Sequence, residues 1–275
     1  MVDPVSRTIA VKVPRLRALA AILFTIGCVL PIWALYQRTQ TLSSDSKIPS
    51  GALRPAMVEL PPLSDGTSFA IAESEVTQLQ FHRVSRRTLQ NAAHAGVDSW
   101  DGCPVRLHAA GSDMPITCIT PGEAARYANA LTEIENGSSG RQLTSCYNEA
   151  GQWIDEKCSG YRLPTMDEWK HAASEGAAES YAVGDKVDCT RAHLPPCHGV
   201  NKTPLQVKSL QPSAWQLFDM YGNVSEIVMV NKGAAWAALG GSWADAADKG
   251  TVLPESRTNV VGLRIVRVQA AEIAR

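Results

Sequence analysis

The sequence lacks an excess of charge. Its 26 Lys and Arg stand against 27 Asp and Glu, a net charge of −1. That excludes a polybasic nucleic-acid arm and a long acidic tail. Phenylalanine is scarce, with four residues, and aromatics are 6% of the chain, although seven of them are Trp. No P-loop and no Ser–His–Asp pattern stands out, and the six His are scattered without an H-x-x-x-H pair. A phosphate-cradling nucleotide site of that kind is therefore excluded. No repeat with a period of 20–50 residues is visible, which excludes a solenoid or propeller. What remains is an ordinary globular composition, 45% apolar and 19% charged over 275 residues, compatible with one large domain or two small ones. A chain of this size buries roughly 70% of its unfolded surface, enough for a true core.

Charge is absent altogether from residues 18–36, ALAAILFTIGCVLPIWALY. A helix of about 20 apolar residues spans a bilayer. Arg7, Lys12, Arg15 and Arg17 precede the run against the single acid Asp3, which keeps the N-terminus cytoplasmic and sends the rest across. Trp33 and Tyr36 sit at the far end, where amphipathic rings prefer the interface. A cleaved signal peptide would have a shorter apolar region and a small-residue site after it. The expectation is an uncleaved anchor: a cytoplasmic segment 1–17, a transmembrane helix 18–36, and a polar, Pro- and Ser-rich linker 37–55.

Cysteine usage agrees. Cys28 lies inside the anchor, and Cys103, Cys118, Cys146, Cys158, Cys189 and Cys197 lie beyond it. An even number on the exported side indicates three disulfides in an oxidising compartment. Six cysteines allow fifteen connectivities. The natural pairs are sequence neighbours, Cys103–Cys118, Cys146–Cys158 and Cys189–Cys197, each closing a short loop.

Periodicity beyond the linker is patchy. Short strands are expected near residues 56–60, 67–71 and 75–79, and again over 225–230, 235–239 and 260–268. Residues 121–133, PGEAARYANALTE, carry apolar residues at helical spacing after a Pro. Residues 165–173, TMDEWKHAA, form a second helix, with Thr165 and Glu168 as a capping box. Residues 138–160 and 178–212 read as loops, long enough to need cross-links or a metal.

Four segments then occur in fixed order: SEVTQLQFHRV (74–84), GYRLPTMDEWKHAA (160–173), LFDMYGNVSEIV (217–228) and LGGSW…GLRIVR (239–267). This set resembles the formylglycine-generating enzyme family, the sulfatase-modifying-factor domain, over residues 56–268, leaving a tail of 269–275. The resemblance implies an α+β, irregular, loop-rich fold of the C-type-lectin-like type, here preceded by one transmembrane helix.

The same resemblance can be tested on the chemistry. The family's oxidase binds copper(I) through two cysteines shortly after G-G-S-W, a soft ligand pair suited to that ion. Here no cysteine follows Trp243. No copper is expected, and the family's oxidase activity is expected to be absent. The related sulfoxide synthases need a three-histidine iron site on a further domain, for which there is no candidate. Cys189, His193, Cys197 and His198 offer zinc-type ligands, but at none of the common zinc spacings. A calcium site survives better. In relatives the D-x-x-G-N-V-x-E loop wraps a calcium ion, and carried over this assigns carboxylates to Asp219 and Glu226 and backbone carbonyls to Gly222 and Val224, the hard oxygen set calcium prefers. Ser225 and Ile227 stand where relatives usually carry Trp. The alternative is that Asp219 caps a turn and Glu226 pairs with an arginine. Trp243 and Arg264 border the family's ligand pocket by the same resemblance, with core packing as the alternative. Arg162, Glu168 and Trp169 are expected to form a buried contact at the domain centre.

These observations lead to a membrane-anchored, exported module that has lost its redox cysteines. It would bind or scaffold a protein partner in an envelope complex, or a glycan, with its main domain periplasmic or extracellular and with no nucleic-acid partner. Two other readings stay open: an enzyme with altered chemistry in the family pocket, and a retroelement-type variable ligand-binding receptor.

Overall fold

The computed structural model describes residues 53–89, 113–155, 157–176, 187–197, 203–245, 251–252 and 258–268. The chain divides after Pro49, and every described residue lies in the second unit, Ser50–Arg275. The expected anchor at 18–36, the segment 1–17, the tail 269–275 and most of the linker lie outside the described residues. Among the described residues no helix is long and apolar enough to cross a membrane.

The described elements are, in chain order, strand β1 (Met57–Glu59), strand β2 (Phe69–Ala72), helix α1 (Gln78–Leu89), helix α2 (Pro121–Ser139), strand β3 (Tyr161–Arg162), helix α3 (Met166–Ala173), strand β4 (Ala192–His193), a 3₁₀ turn (Pro195–Cys197), and strands β5 (Tyr221–Gly222), β6 (Ser225–Val230), β7 (Ala235–Leu239), β8 (Thr251–Val252), β9 (Val261–Gly262) and β10 (Val266–Val268). The class is α+β, with short strands and much irregular chain, as expected.

One four-stranded sheet has the order β1-β2-β10-β3 and another β8-β7-β6-β9, with β4 and β5 as a separate parallel pair. The last strand, β10, is inserted antiparallel between β2 and β3, with Val266 opposite Ile71 and Arg267 opposite Tyr161. The two ends of the domain are thereby fastened in one sheet. The expected strand over 260–268 is in fact two strands. β9 pairs with β6 and β10 with β2, so the chain changes sheets across Leu263–Arg264–Ile265. Its carbonyls are still satisfied there, Leu263 accepting from the Val76 N–H (2.9 Å) and Ile265 from the Ala72 N–H (2.8 Å).

The expected strand over 75–79 is corrected. Thr77 makes a single bridge to Pro115, and a helix begins at Gln78. The Gln80 N–H donates to Thr77 Oγ1 (3.2 Å) while the Thr77 N–H donates to Gln80 Oε1 (3.0 Å), a reciprocal cap that favours a helix over a strand. Phe81 and Val84 turn inward. α2 is longer than expected. Thr120 and Glu123 cap its start, and it runs until Gly140 enters the left-handed region at φ 68°. α3 starts as read, with the Thr165–Glu168 capping box in place. The hairpin β6–β7 also has the expected bounds. Its turn places Asn231 and Lys232 at φ 49° and 55°, a twist that suits adjacent antiparallel strands.

The main core gathers Phe69, Ile71, Trp169, Leu217, Met220, Val228 and Leu239 between the sheets and α3. Cross-links brace the loops: Cys146–Cys158 and Cys189–Cys197 are bonded, with Cα atoms 5.1 and 5.2 Å apart. Cys118 is also disulfide-bonded, and its expected partner Cys103 lies outside the described residues.

Candidate functional site

The four motif segments meet in one buried polar frame. Its hub is Arg264, with no exposed surface, on the chain between β9 and β10. Its guanidinium donates to both oxygens of Glu226 from Nε (2.9 and 3.0 Å) and again to Oε1 from Nη2 (2.7 Å). The remaining donors reach the carbonyls of Ala72 (2.9 Å) and Phe218 (2.7 Å). Burial opposes a charge on Arg264, but the Glu226 carboxylate beside it outweighs burial and raises its pKa. Trp169, wholly buried on α3, donates its indole N–H to Glu226 Oε2 at 2.6 Å. Glu226 therefore joins the second, third and fourth motif segments.

The first segment enters through Glu75, which has no exposed surface. Its carboxyl accepts from Asn223 Nδ2 (2.8 Å) and from the Val224 N–H (3.0 Å). Burial, followed by the nearby charges of Asp219 and Glu226, pushes its pKa well above the usual carboxylate value. Asp219 is buried at φ 57° and accepts from the Lys208 N–H (2.7 Å). Its pKa is also raised, by burial first. Alongside this frame, Arg162 holds Glu168 through two bonds of 2.6 Å, with Thr165 donating its N–H to the same carboxylate (2.8 Å). Burial would raise the Glu168 pKa, but Arg162 and the cap lower it overall. The expected central contact of Arg162, Glu168 and Trp169 is present, with Trp169 turned to Glu226.

Two glycines let the frame close. Gly222 sits at φ 82°, and a Cβ there would meet the His193 carbonyl oxygen at 2.1 Å. Gly240 sits at φ 95° beneath the Trp169 ring, and its carbonyl accepts from the Gly222 N–H (2.9 Å). Side chains rarely adopt such φ values, and at Gly222 the close approach leaves no space for one.

The residues of the sequence-derived calcium loop lie within this frame. Glu226 pairs with an arginine, the alternative to its role as a calcium ligand. Asp219 accepts a backbone N–H, while Gly222 and Val224 are held in the same frame. Among the described residues no group of three His, Cys, Asp or Glu converges as a metal cage. A calcium ion would have to rely on backbone carbonyls and on a Glu226 already engaged by Arg264 and Trp169. Arg264, expected beside Trp243 at a pocket rim, has no exposed surface and lies within the core. Trp243 is 8% exposed, and its backbone N–H donates to the Asn223 carbonyl (2.8 Å). The chain after Asp245, where the family's copper cysteines would fall, carries no cysteine. A cavity of about 20 Å³ lies between Asp188, Arg191, Ser213, Asp219 and Tyr221, room for about one water.

Sequence reasoning missed Glu75 and Asn223 as frame members, although both stand inside the quoted motif segments. It also missed Glu135, a buried acid late in α2 that draws Arg54, Arg141 and Arg267 around it.

The family model for the sulfatase-modifying factor enzyme 1-like domain matches residues 56–269. A comparison with curated proteins gives no match. Among solved structures, CarF is 25% identical with a TM-score of 0.60, covering 79% of this chain and 99% of CarF. Variable protein 1 of Treponema denticola is 20% identical with a TM-score of 0.55, over 78% of this chain and 92% of that one. PvdO from Pseudomonas aeruginosa is 17% identical with a TM-score of 0.51, over 78% and 92%. The last two similarities concern fold alone. With the family's motif residues joined in one buried frame and its model matched from residue 56 to residue 269, the chain belongs to the sulfatase-modifying-factor family, that of the formylglycine-generating enzymes.

Proposed function

We propose that this protein is a membrane-anchored, exported member of the family that works as a non-catalytic binding or scaffolding module. It would hold a protein partner of an envelope complex, or a glycan, close to the membrane. One observation carries this reading. The family scaffold is retained, with Arg264, Glu226, Trp169 and Glu75 all engaged in it, while no cysteine follows Cys197 to supply a copper thiolate pair. Soft thiolates are what copper(I) needs, and oxygen or nitrogen ligands do not replace them readily. The charge-free run at 18–36 and its basic flank support the anchor and an N-terminus held inside. The disulfides support an oxidising compartment for the domain. Calcium at Asp219, Gly222, Val224 and Glu226 belongs to this proposal as a structural ion that would stitch loops together, with no part in chemistry.

The test is purification of the native full chain in mild detergent, with identification of what co-migrates. A stoichiometric envelope protein or a bound glycan is the expected result. A lone chain that turns over a thiol substrate would contradict the proposal.

A further inference from the structure

Away from the motif frame, an open cleft of about 340 Å³ lies where β1, the end of α2 and β10 come together. Three guanidiniums converge there on one carboxylate. Arg54 contacts Glu135 through Nη1, Arg141 lies 3.2 Å from it, and Arg267 lies 3.8 Å from it. The Glu135 side chain is only 5% exposed, whereas Arg54, Arg267 and Arg141 keep 25%, 24% and 55%. Arg267 is held in place by the Tyr161 ring beneath it, 5.5 Å from the guanidinium carbon, and the Tyr161 hydroxyl donates to Glu135 at 3.5 Å. The group is therefore built, with its acid buried at the base and its cations facing the opening.

Among the described residues that line the cleft, the charges do not balance. Three guanidiniums against one carboxylate leave a formal +2 (three minus one) at the mouth of the cleft. One carboxylate satisfies one guanidinium fork, so the other forks have donors left over. Like charges gathered at the mouth favour a second anion. Planar Arg forks match phosphate oxygens in pairs. The cleft also opens beside Arg54, where the chain enters the domain. We propose that the cleft of Arg54, Arg141 and Arg267 binds a phosphate group, with Glu135 as the internal counter-charge that fixes the three side chains. The phosphate comes either from a free phosphate or from an anionic lipid headgroup. Residues 37–53 separate Arg54 from the apolar run 18–36, so an extended linker reaches at most about 60 Å, by about 3.5 Å per residue.

Calorimetry on the full chain in detergent, with two probes, tests this. One arm titrates inorganic phosphate, and the other titrates dihexanoyl phosphatidic acid, a phosphomonoester lipid short enough to stay soluble. Saturable one-to-one binding of either probe is expected. It should weaken roughly tenfold in Arg54→Ala/Arg141→Ala, because hydrogen bonds from a guanidinium to a phosphate are charge-assisted and their removal has an effect of that order. Tighter binding of the lipid identifies a headgroup site, and equal or tighter binding of inorganic phosphate identifies a free-phosphate site. If the double variant fails to fold, Arg141→Glu, at a side chain more than half exposed, should weaken binding at least as much. No saturable binding of either probe, or binding unchanged in the folded variants, overturns the proposal.

Discussion

Arg264 can carry its charge at zero exposure only because Glu226 meets it with both oxygens and two carbonyls take its remaining donors. Removing one partner of such a pair strands a charge in the core, at a cost of about 3–5 kcal/mol. Glu226→Gln and Arg264→Leu are each expected to lower the unfolding free energy by about that much in chemical denaturation. A loss within about 0.5 kcal/mol, typical of a surface site, would show that the frame does not hold the fold. Glu75 gives a different signature. Its pKa in the fold lies above the ordinary value of 4.5, so the folded state holds this proton more tightly than the unfolded chain does. Its contribution is complete below pH 4.5 and is lost as pH rises from there through the folded pKa. Glu168 works in the opposite sense: its lowered pKa gives stability above 4.5 that is lost as pH falls below it. Asp219, whose pKa is also raised, acts in the same sense as Glu75. Measured from pH 4.5 upward, stability should therefore decline, and Glu75→Gln should make that decline shallower; an unchanged slope would contradict a buried, proton-holding Glu75. The pairings of Arg264 and Glu75 are not written in the local sequence, unlike the Thr165–Glu168 cap. Asn223 and Glu75 are 148 residues apart, and a buried acid looks like a surface acid until its partner is known.

Capping decides where the helices of this loop-rich fold begin. Thr165 and Glu168 were legible because the capping box precedes a clear apolar face. Thr77 and Gln80 form the same kind of box, and Val76 and Leu79 stand three apart, a helical rather than an alternating spacing, so the strand expectation fails there. Leu79 is 40% exposed, whereas Val76 is fully buried. β6 and β7 were legible to the residue because a hairpin needs only local apolar runs and a turn. The run 260–268 was not, since a change of sheet at Leu263–Ile265 leaves the hydrophobic pattern continuous. Thr165→Ala is expected to destabilise by about 1 kcal/mol, the usual loss for an N-cap. The effect should be larger than that of a neighbouring exposed substitution such as Lys170→Ala. Equal effects in thermal melts would show that the cap contributes nothing beyond propensity.

For the whole molecule, family membership and the α+β class were legible because the motif segments are the parts that bury one another. The Arg54–Arg141–Arg267 cleft was not legible, since its members come from three distant segments that the fold alone brings together. The two observed disulfides span 12 and 8 residues, and loops of those lengths stabilise by about 2.5–3 kcal/mol each in the chain-entropy account. Reduction should therefore lower the melting temperature by well over the effect of any single cap, and a reduced protein that melts unchanged would contradict the brace. Calcium, if it serves as a structural ion at Asp219 and Glu226, should raise the melting temperature in wild type and not in Asp219→Ala.

The most direct test of a retained scaffold without the redox thiolates uses copper(I), oxygen and a peptide containing C-x-P-x-R. The purified full chain is incubated with all three, and both bound copper and peptide aldehyde are measured. The expected result is no stoichiometric copper and no aldehyde. One copper per chain together with formylglycine in the peptide would contradict the account.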